Sequence, residues 1–247
     1  MAPSTFYQQA MLQCRPSAYF PLNDPTGATT AQDLSENGQT GSILGGVVLQ
    51  QPGAMALGDK AMTFDGSTGY ISVPATAALQ CNGDWSLVIW ANETGVVSGY
   101  PALMAQGSGE VDYGWLLWTQ NGNTVAYKRG LADGTSYQWP VTGFALVGQQ
   151  AMVVFTYDSA TLTLTAYQNG TPVDQTTLTT GFANNADPEP LTLGVGGTGG
   201  GAAQHYWNGT LGEAAVWDRC LSPDAVQALF QAATALGAAH PTAPIKF

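Results

Sequence analysis

The sequence predicts an all-β fold: an antiparallel two-sheet β-sandwich with a short N-terminal helix and one C-terminal capping helix. Three observations predict it. Short β-prone runs recur along most of the chain, broken by Gly, Asn, Asp and Pro. No helical pattern alternates with these runs, which argues against a parallel α/β sheet. The 247 residues are 45% apolar and 10% aromatic, enough for one large core, while only 9% are charged.

Residues 4–14, STFYQQAMLQC, form the predicted first helix. Ser4 can cap it, and Phe6, Ala10, Met11 and Cys14 share one side. So short a helix is marginal in water and needs a surface to dock on. Predicted strands then cover residues 18–22, 46–50, 60–64, 70–73, 86–91, 115–120, 124–128, 136–140, 151–157, 161–167, 171–177, 191–195 and 211–217. The clearest lies in TLTLTAYQNGTPVDQTTL. Leu162, Leu164 and Ala166 point one way, and Thr161, Thr163, Thr165 and Tyr167 the other. Asn169-Gly170 suits the positive φ angles of a type I′ turn, so the chain returns antiparallel from Thr171.

In the closing helix Ser222 is the N-cap, Pro223 takes the first position and Asp224 meets the positive end of the dipole. Val226, Leu229, Phe230, Ala233 and Leu236 form its apolar stripe, and Gly237 can end it. The organisation expected is a helical arm at 1–15, a sandwich at 16–237 and an extended, Pro-containing tail at 238–247. Phe6, Ala10 and Met11 of the arm and Ile245 and Phe247 of the tail are expected to be assembly contacts, because neither segment can bury them by itself.

Seventeen acidic residues against six basic ones leave a net charge of −11. Arg15, Lys60, Lys128, Arg129, Arg219 and Lys246 form no cluster, so nucleic acid and anionic membrane surfaces are poor partners. No run approaches the roughly 20 apolar residues of a membrane span. Residues 1–15 lack the basic start and continuous apolar run of a signal peptide, so synthesis and folding in a reducing cytoplasm are expected. Cys14, Cys81 and Cys220, odd in number and widely spaced, suit buried small hydrophobes better than a disulfide framework.

Several segments, in order, resemble the laminin-G-like, concanavalin A-like jelly roll. They are SAYFPLNDPTGATTAQDLSENGQTGSILGGVVL, AMTFDGSTGYISVP, WSLVIWAN, TLTLTAYQNGTPV, PLTLGV and YWNGTLGEAAVWDRCLSPDAVQALF, together about residues 17–232. The opening, YQQAMLQCRPSAYFPLNDPTGATTAQD, is similar to the start of such modules in tailed-bacteriophage structural proteins. The resemblance implies a non-enzymatic virion protein, a head decoration, cement or tail-associated subunit. It would be made in the host cytoplasm and would sit in multiple copies, or as a homo-oligomer, among other virion proteins. The alternative it implies is a carbohydrate-binding module for host-surface glycans, since function on this scaffold sits in grafted loops. Calcium at one sandwich edge is also implied, with Asp24, Asp33, Asn37, Asp65 and Asp84 as candidate ligands. Against a metal, Ser67-Thr68-Gly69 and Gly212-Glu213 stand where relatives carry more acidic residues, and Asx-turn capping is the competing reading. No other cofactor is expected.

Catalysis has little to draw on. Glycoside hydrolysis needs two carboxylates about 5–10 Å apart. Glu110-Val111-Asp112 matches the first part of an E-x-D-x-x-E strand pattern, but the third acidic position is Trp115 and GSGEVDYG reads as a loop. His205 and His240 have no nucleophile elbow to serve. A glycosidase is therefore a remote alternative and a non-enzyme is expected. Tyr100, Tyr113, Trp115, Trp118, Tyr137, Trp139, Tyr206 and Trp207 lie on or near loops and strand ends and are candidates for stacking on sugars, whereas Trp85, Trp90 and Trp217 fall in strand patterns and read as core.

Overall fold

The structure, a computed structural model, describes residues 6–55, 59–95, 99–107, 114–184, 189–196 and 204–235. Two antiparallel eight-stranded sheets face each other. The first contains β1 (Ala18–Phe20), β4 (Val47–Pro52), β5 (Lys60–Asp65), β7 (Trp85–Glu93), β12 (Ala151–Asp158), β13 (Thr163–Gln168), β14 (Thr171–Thr177) and β16 (Asn208–Trp217). Its order is β14-β13-β12-β7-β16-β5-β4, with β1 also on β16. The second contains β2 (Thr30–Ala31), β3 (Gly41–Leu44), β6 (Tyr70–Val73), β8 (Ala102–Gln106), β9 (Trp115–Gln120), β10 (Thr124–Gly130), β11 (Ser136–Thr142) and β15 (Leu191–Leu193), in the order β11-β10-β9-β8-β15-β6-β3-β2. The predicted sandwich is thus the observed one, and every predicted strand falls on an observed strand. The sequence reading missed β2, β3 and β8.

Alternation fills the space between the sheets with Phe20, Phe64, Trp85, Trp115, Tyr127, Phe155 and Trp207, all at most 1% exposed. The hairpin at Asn169-Gly170 forms as expected, with φ of 52° and 77°. A side chain at Gly170 would also meet the Phe230 Cβ at 2.9 Å, so glycine there serves both the turn and the packing of the closing helix.

A third layer covers the outer face of the first sheet. Val88, Trp90, Met152, Val154, Tyr167, Ala215 and Trp217 point outward and would leave that face apolar. Helices α1 (Phe6–Gln13) and α2 (Pro223–Thr234) lie against it and against each other. From α1, Tyr7 and Met11 are fully buried and Ala10 nearly so; from α2, Val226 and Leu229 are buried. Ser222 Oγ accepts a hydrogen bond from the Ala225 amide at 3.2 Å, capping α2 as predicted. The expected arm at 1–15 is corrected accordingly. Ala10 and Met11 are not assembly contacts but part of the domain's own second core, and Phe6 is half-buried against it. Ile245 and Phe247, with Ser4, Leu236 and Gly237, lie outside the described residues.

β16 owes its reach to a bulge. Glu213 has φ of 52° and interrupts pairing with β7 between Gly212 and Ala215, while its amide donates to the Pro21 carbonyl oxygen at 3.1 Å. On the opposite edge of β16, β5 therefore pairs with residues 208–211 and β1 with residues 214–216. The three cysteines carry free thiols, and burial pushes those of Cys14 and Cys81 up to about 12. No helix among the described residues is long and apolar enough to cross a membrane.

Candidate functional site

The outer face of the second sheet has no helical layer among the described residues. Its register places Ser72, Thr192, Ala105, Leu116 and Lys128 in one row across five strands. One step along, Ala102, Trp118 and Ala126 form the next row. Ala102, Ala105, Leu116, Trp118 and Ala126 pack together as a small apolar floor. The bridge Gly196↔Gln204 lies at its edge: a Cβ on Gly196 would meet Leu116 Cδ1 at 3.0 Å and the Ala102 Cβ at 3.3 Å.

Aromatic rings border this floor. Tyr100, 46% exposed, sets its edge against Trp118 at 6.4 Å between centroids and against His205 at 5.8 Å. The next residue, Tyr206, meets Tyr70 of β6 at 6.3 Å. Trp118, Tyr100, His205, Tyr206 and Tyr70 thus make a ribbon running from β9 to β6, with all but Trp118 at least partly exposed. The floor itself is at most 6% exposed, so the surface open to a flat ligand with one apolar face is that of the bordering rings, Tyr100 above all.

The predicted stacking residues divide by strand phase. Tyr206 belongs to the partly exposed ribbon, whereas Trp118, 3% exposed, packs behind Tyr100 and offers no open ring of its own. Trp115, Trp139 and Trp207 lie off the ribbon: they point between the sheets, at most 6% exposed, and cannot reach a sugar. Tyr137 is half-buried against the same core. Tyr113, Glu110 and Asp112 lie outside the described residues. Tyr70 and Lys128 were not singled out, because an isolated Tyr or Lys in a strand carries no signal until register places it on a face.

The calcium candidates each hydrogen-bond within the fold. Asp33 accepts from the Tyr19, Ser35 and Gln39 amides and from the Ser35 hydroxyl. Asp65 accepts from the Ser67, Thr68 and Gly69 amides, and despite some desolvation the hydrogen bonds led by Thr68 hold its carboxyl below the usual range. Asp84 accepts from the Ser159 amide and hydroxyl, Asp24 from the Gln32 amide, and Asn37 donates to the Ser17 carbonyl oxygen. Among the described residues no three carboxylate, His or Cys side chains converge as a metal site. Asp33 and Asp65 cap turns, whereas Asp84 and Asn37 tie together segments distant in sequence. Two other clefts are present. One of about 370 Å³ lies between Leu12 and Leu34, and one of about 580 Å³ lies over Thr163 and Thr165 beside the start of α2. Neither carries exposed aromatic rings.

The fold and this face define a lectin-like jelly roll of the concanavalin A type. A laminin-G-type family profile, described as the Concanavalin A-like lectin/glucanases superfamily, matches residues 65–227, and the chain belongs to that family. No curated protein matches it significantly in sequence. Among solved structures it is similar to the binding domain of Paraclostridial Mosquitocidal Protein 1, with 14% identity over 89% of this chain and a TM-score of 0.68. It is similar to the binding domain of botulinum neurotoxin serotype D, with 11% identity over 90% of the chain and a TM-score of 0.66. A botulinum neurotoxin type C structure, whose cell entry depends on two ganglioside molecules, matches at 12% identity over 92% of the chain with a TM-score of 0.67. These likenesses establish the fold. The chain spans about half of each structure, 52%, 52% and 53% respectively.

Proposed function

We propose that the protein is a non-catalytic carbohydrate-binding module that holds glycans on the outer face of its second sheet. The aromatic ribbon headed by Tyr100 carries this reading. A pyranose presents an apolar face that packs on a ring, while its hydroxyls bond to flanking polar groups such as Ser72 and Lys128. The lectin family and the ganglioside dependence of botulinum neurotoxin type C support the ligand class.

A glycan array run with calcium and with EDTA tests this, followed by titration of a bound glycan. Tyr100→Ala is expected to weaken binding roughly tenfold while leaving the fold intact. Binding to no glycan, or equal binding by the variant, would overturn the proposal.

The second reading is a virion subunit that adheres to host glycans, made in the host cytoplasm and carried in several copies. The similarity of the opening segment to phage modules supports it. The docking of α1 on its own sandwich withdraws the N-terminal arm from that argument. Particles whose proteome lacks this chain would count against it.

A further inference from the structure

Five Asn-Gly pairs occur in the chain, at Asn37, Asn82, Asn121, Asn169 and Asn208. Asn82-Gly83 lies in the link into β7, with both residues exposed. From inside the sandwich the buried Arg129 grips this link with one fork. Nη1 donates to the Cys81 carbonyl oxygen at 2.7 Å, and Nη2 to Asn82 Oδ1 at 3.0 Å. A further bond from Nη2 goes to the Ala183 carbonyl oxygen, so a buried cation is held by three neutral acceptors. Asn82 Nδ2 donates to Gln80 Oε1 at 3.3 Å. The Gly83 amide donates to no group among the described residues. Nothing lies within 4 Å of the place a Gly83 side chain would take. A nucleophilic amide that is free and uncrowded therefore stands next to a carbonyl polarised by a guanidinium. The other pairs differ. Asn169 Oδ1 accepts from the Met152 amide, and Gly170 is wedged against Phe230. Asn208 lies within β16, paired with Asp65, and Asn37 spends its amide nitrogen on the Ser17 carbonyl oxygen.

We propose that Asn82 is a self-modification site: Arg129 assists its deamidation, and the carboxylate formed pairs with the buried guanidinium. The Gly83 amide nitrogen gives its proton to solvent base and attacks Asn82 Cγ. A C–N bond forms, and negative charge gathers on Oδ1, where Arg129 Nη2 already donates. The intermediate then expels Nδ2, which takes up a proton and leaves as ammonia, closing a succinimide ring. Water opens the ring. Attack at Cγ gives aspartate, and attack at the main-chain carbonyl of residue 82 gives isoaspartate. One water enters, one ammonia leaves, and nothing is oxidised or reduced. The reaction needs no glycan and no cofactor. Its aspartate product puts a charge-assisted hydrogen bond where a neutral one stood. A cation taken out of water without a counter-ion gains most from such a partner. The chain thus completes the Arg129 site by its own chemistry, adding one negative charge.

Peptide mapping by mass spectrometry tests the modification, on the full chain held in mildly alkaline buffer with and without urea. Asn82 is expected to deamidate at least about fivefold faster in the folded chain than in urea, because only the fold brings the guanidinium to Oδ1. Asn169, locked in its hairpin, is expected to react more slowly folded than unfolded. Folded Arg129→Met is expected to lose the advantage at Asn82. An Asn82 that reacts no faster folded than in urea overturns the proposal, and so does an equal rate in the folded Met variant. Should that variant not fold, the comparison within the parent decides alone. The pairing has its own test. Asn82→Asp is expected to raise the melting temperature by about 2–4 °C. An Asn82→Asp protein that melts at or below the parent overturns the claim that the new carboxylate completes the Arg129 site.

Discussion

Arg129 is sealed inside the sandwich, 3% exposed, with neutral partners. Its Nη1 donates to the Cys81 carbonyl oxygen at 2.7 Å, and its Nη2 to Asn82 Oδ1 and to the Ala183 carbonyl oxygen at 3.0 Å. The guanidinium also sits 5.5 Å from the centre of the Phe182 ring. The planar fork ties the end of β10 to two loops that sequence alone does not bring together. Arg129→Met takes the donor from the buried Cys81 carbonyl oxygen and from two less buried acceptors, and is expected to cost about 1–3 kcal/mol in urea unfolding. Arg129→Lys should recover only part, since an ammonium cannot fork; a fully stable Met variant would refute this role. The same limit governed the candidate site. Eight candidate rings were legible as residues, but a one-residue change of phase moves a strand side chain from the surface to the core. That is why Trp118 of β9 borders the site while Trp115 of the same strand is core. The meeting of Tyr100 with His205 comes from loop closure, which no local spacing encodes.

At the scale of elements, α1 is the revealing case. Its apolar side was legible, and so was its need for a surface; the surface itself was not, because it consists of outward residues from β7, β12 and β16. Deleting residues 1–14 removes Tyr7, Ala10 and Met11 from that core and is expected to cost on the order of 4 kcal/mol. Glycan binding on the opposite sheet should persist at temperatures where the truncated chain stays folded. A melting curve unchanged by truncation would restore the assembly arm. The missed strands have physical reasons too. β2 has two residues, and β8, ALMAQ, is buried at all five positions and so shows no alternation. The outermost strands β4, β11 and β14 carry Pro52, Pro140 and Pro172, which lack an amide proton and discourage strand addition at those edges. Self-association, if it occurs, should use faces or loops.

The whole molecule combines two opposed sets of carboxyls within a net charge of −11. Asp133, through its bonds from Thr135, and Asp158, through those from Thr161 and Ala160, are held below the ordinary range, as is Asp65. Such groups add stability above their unfolded values and lose it as pH falls through the folded ones. Glu213, Asp59 and Asp24 are pushed up, chiefly by burial. Their contribution is complete below the unfolded values and is lost as pH rises through the folded ones. Repulsion among the excess negative charges also grows toward neutrality and beyond. Acid weakens the caps and alkali weakens the buried cluster, so stability should peak between them, in the mildly acidic range near pH 5. The alkaline side should be the steeper, because its groups are buried while the caps are solvent-screened. Melting temperatures measured from about pH 4 to about pH 9 at constant ionic strength check this. A curve that climbs steadily to pH 8 would mean that the buried carboxyls do not control the fold's response to pH, and Glu213→Gln should flatten the alkaline limb if they do.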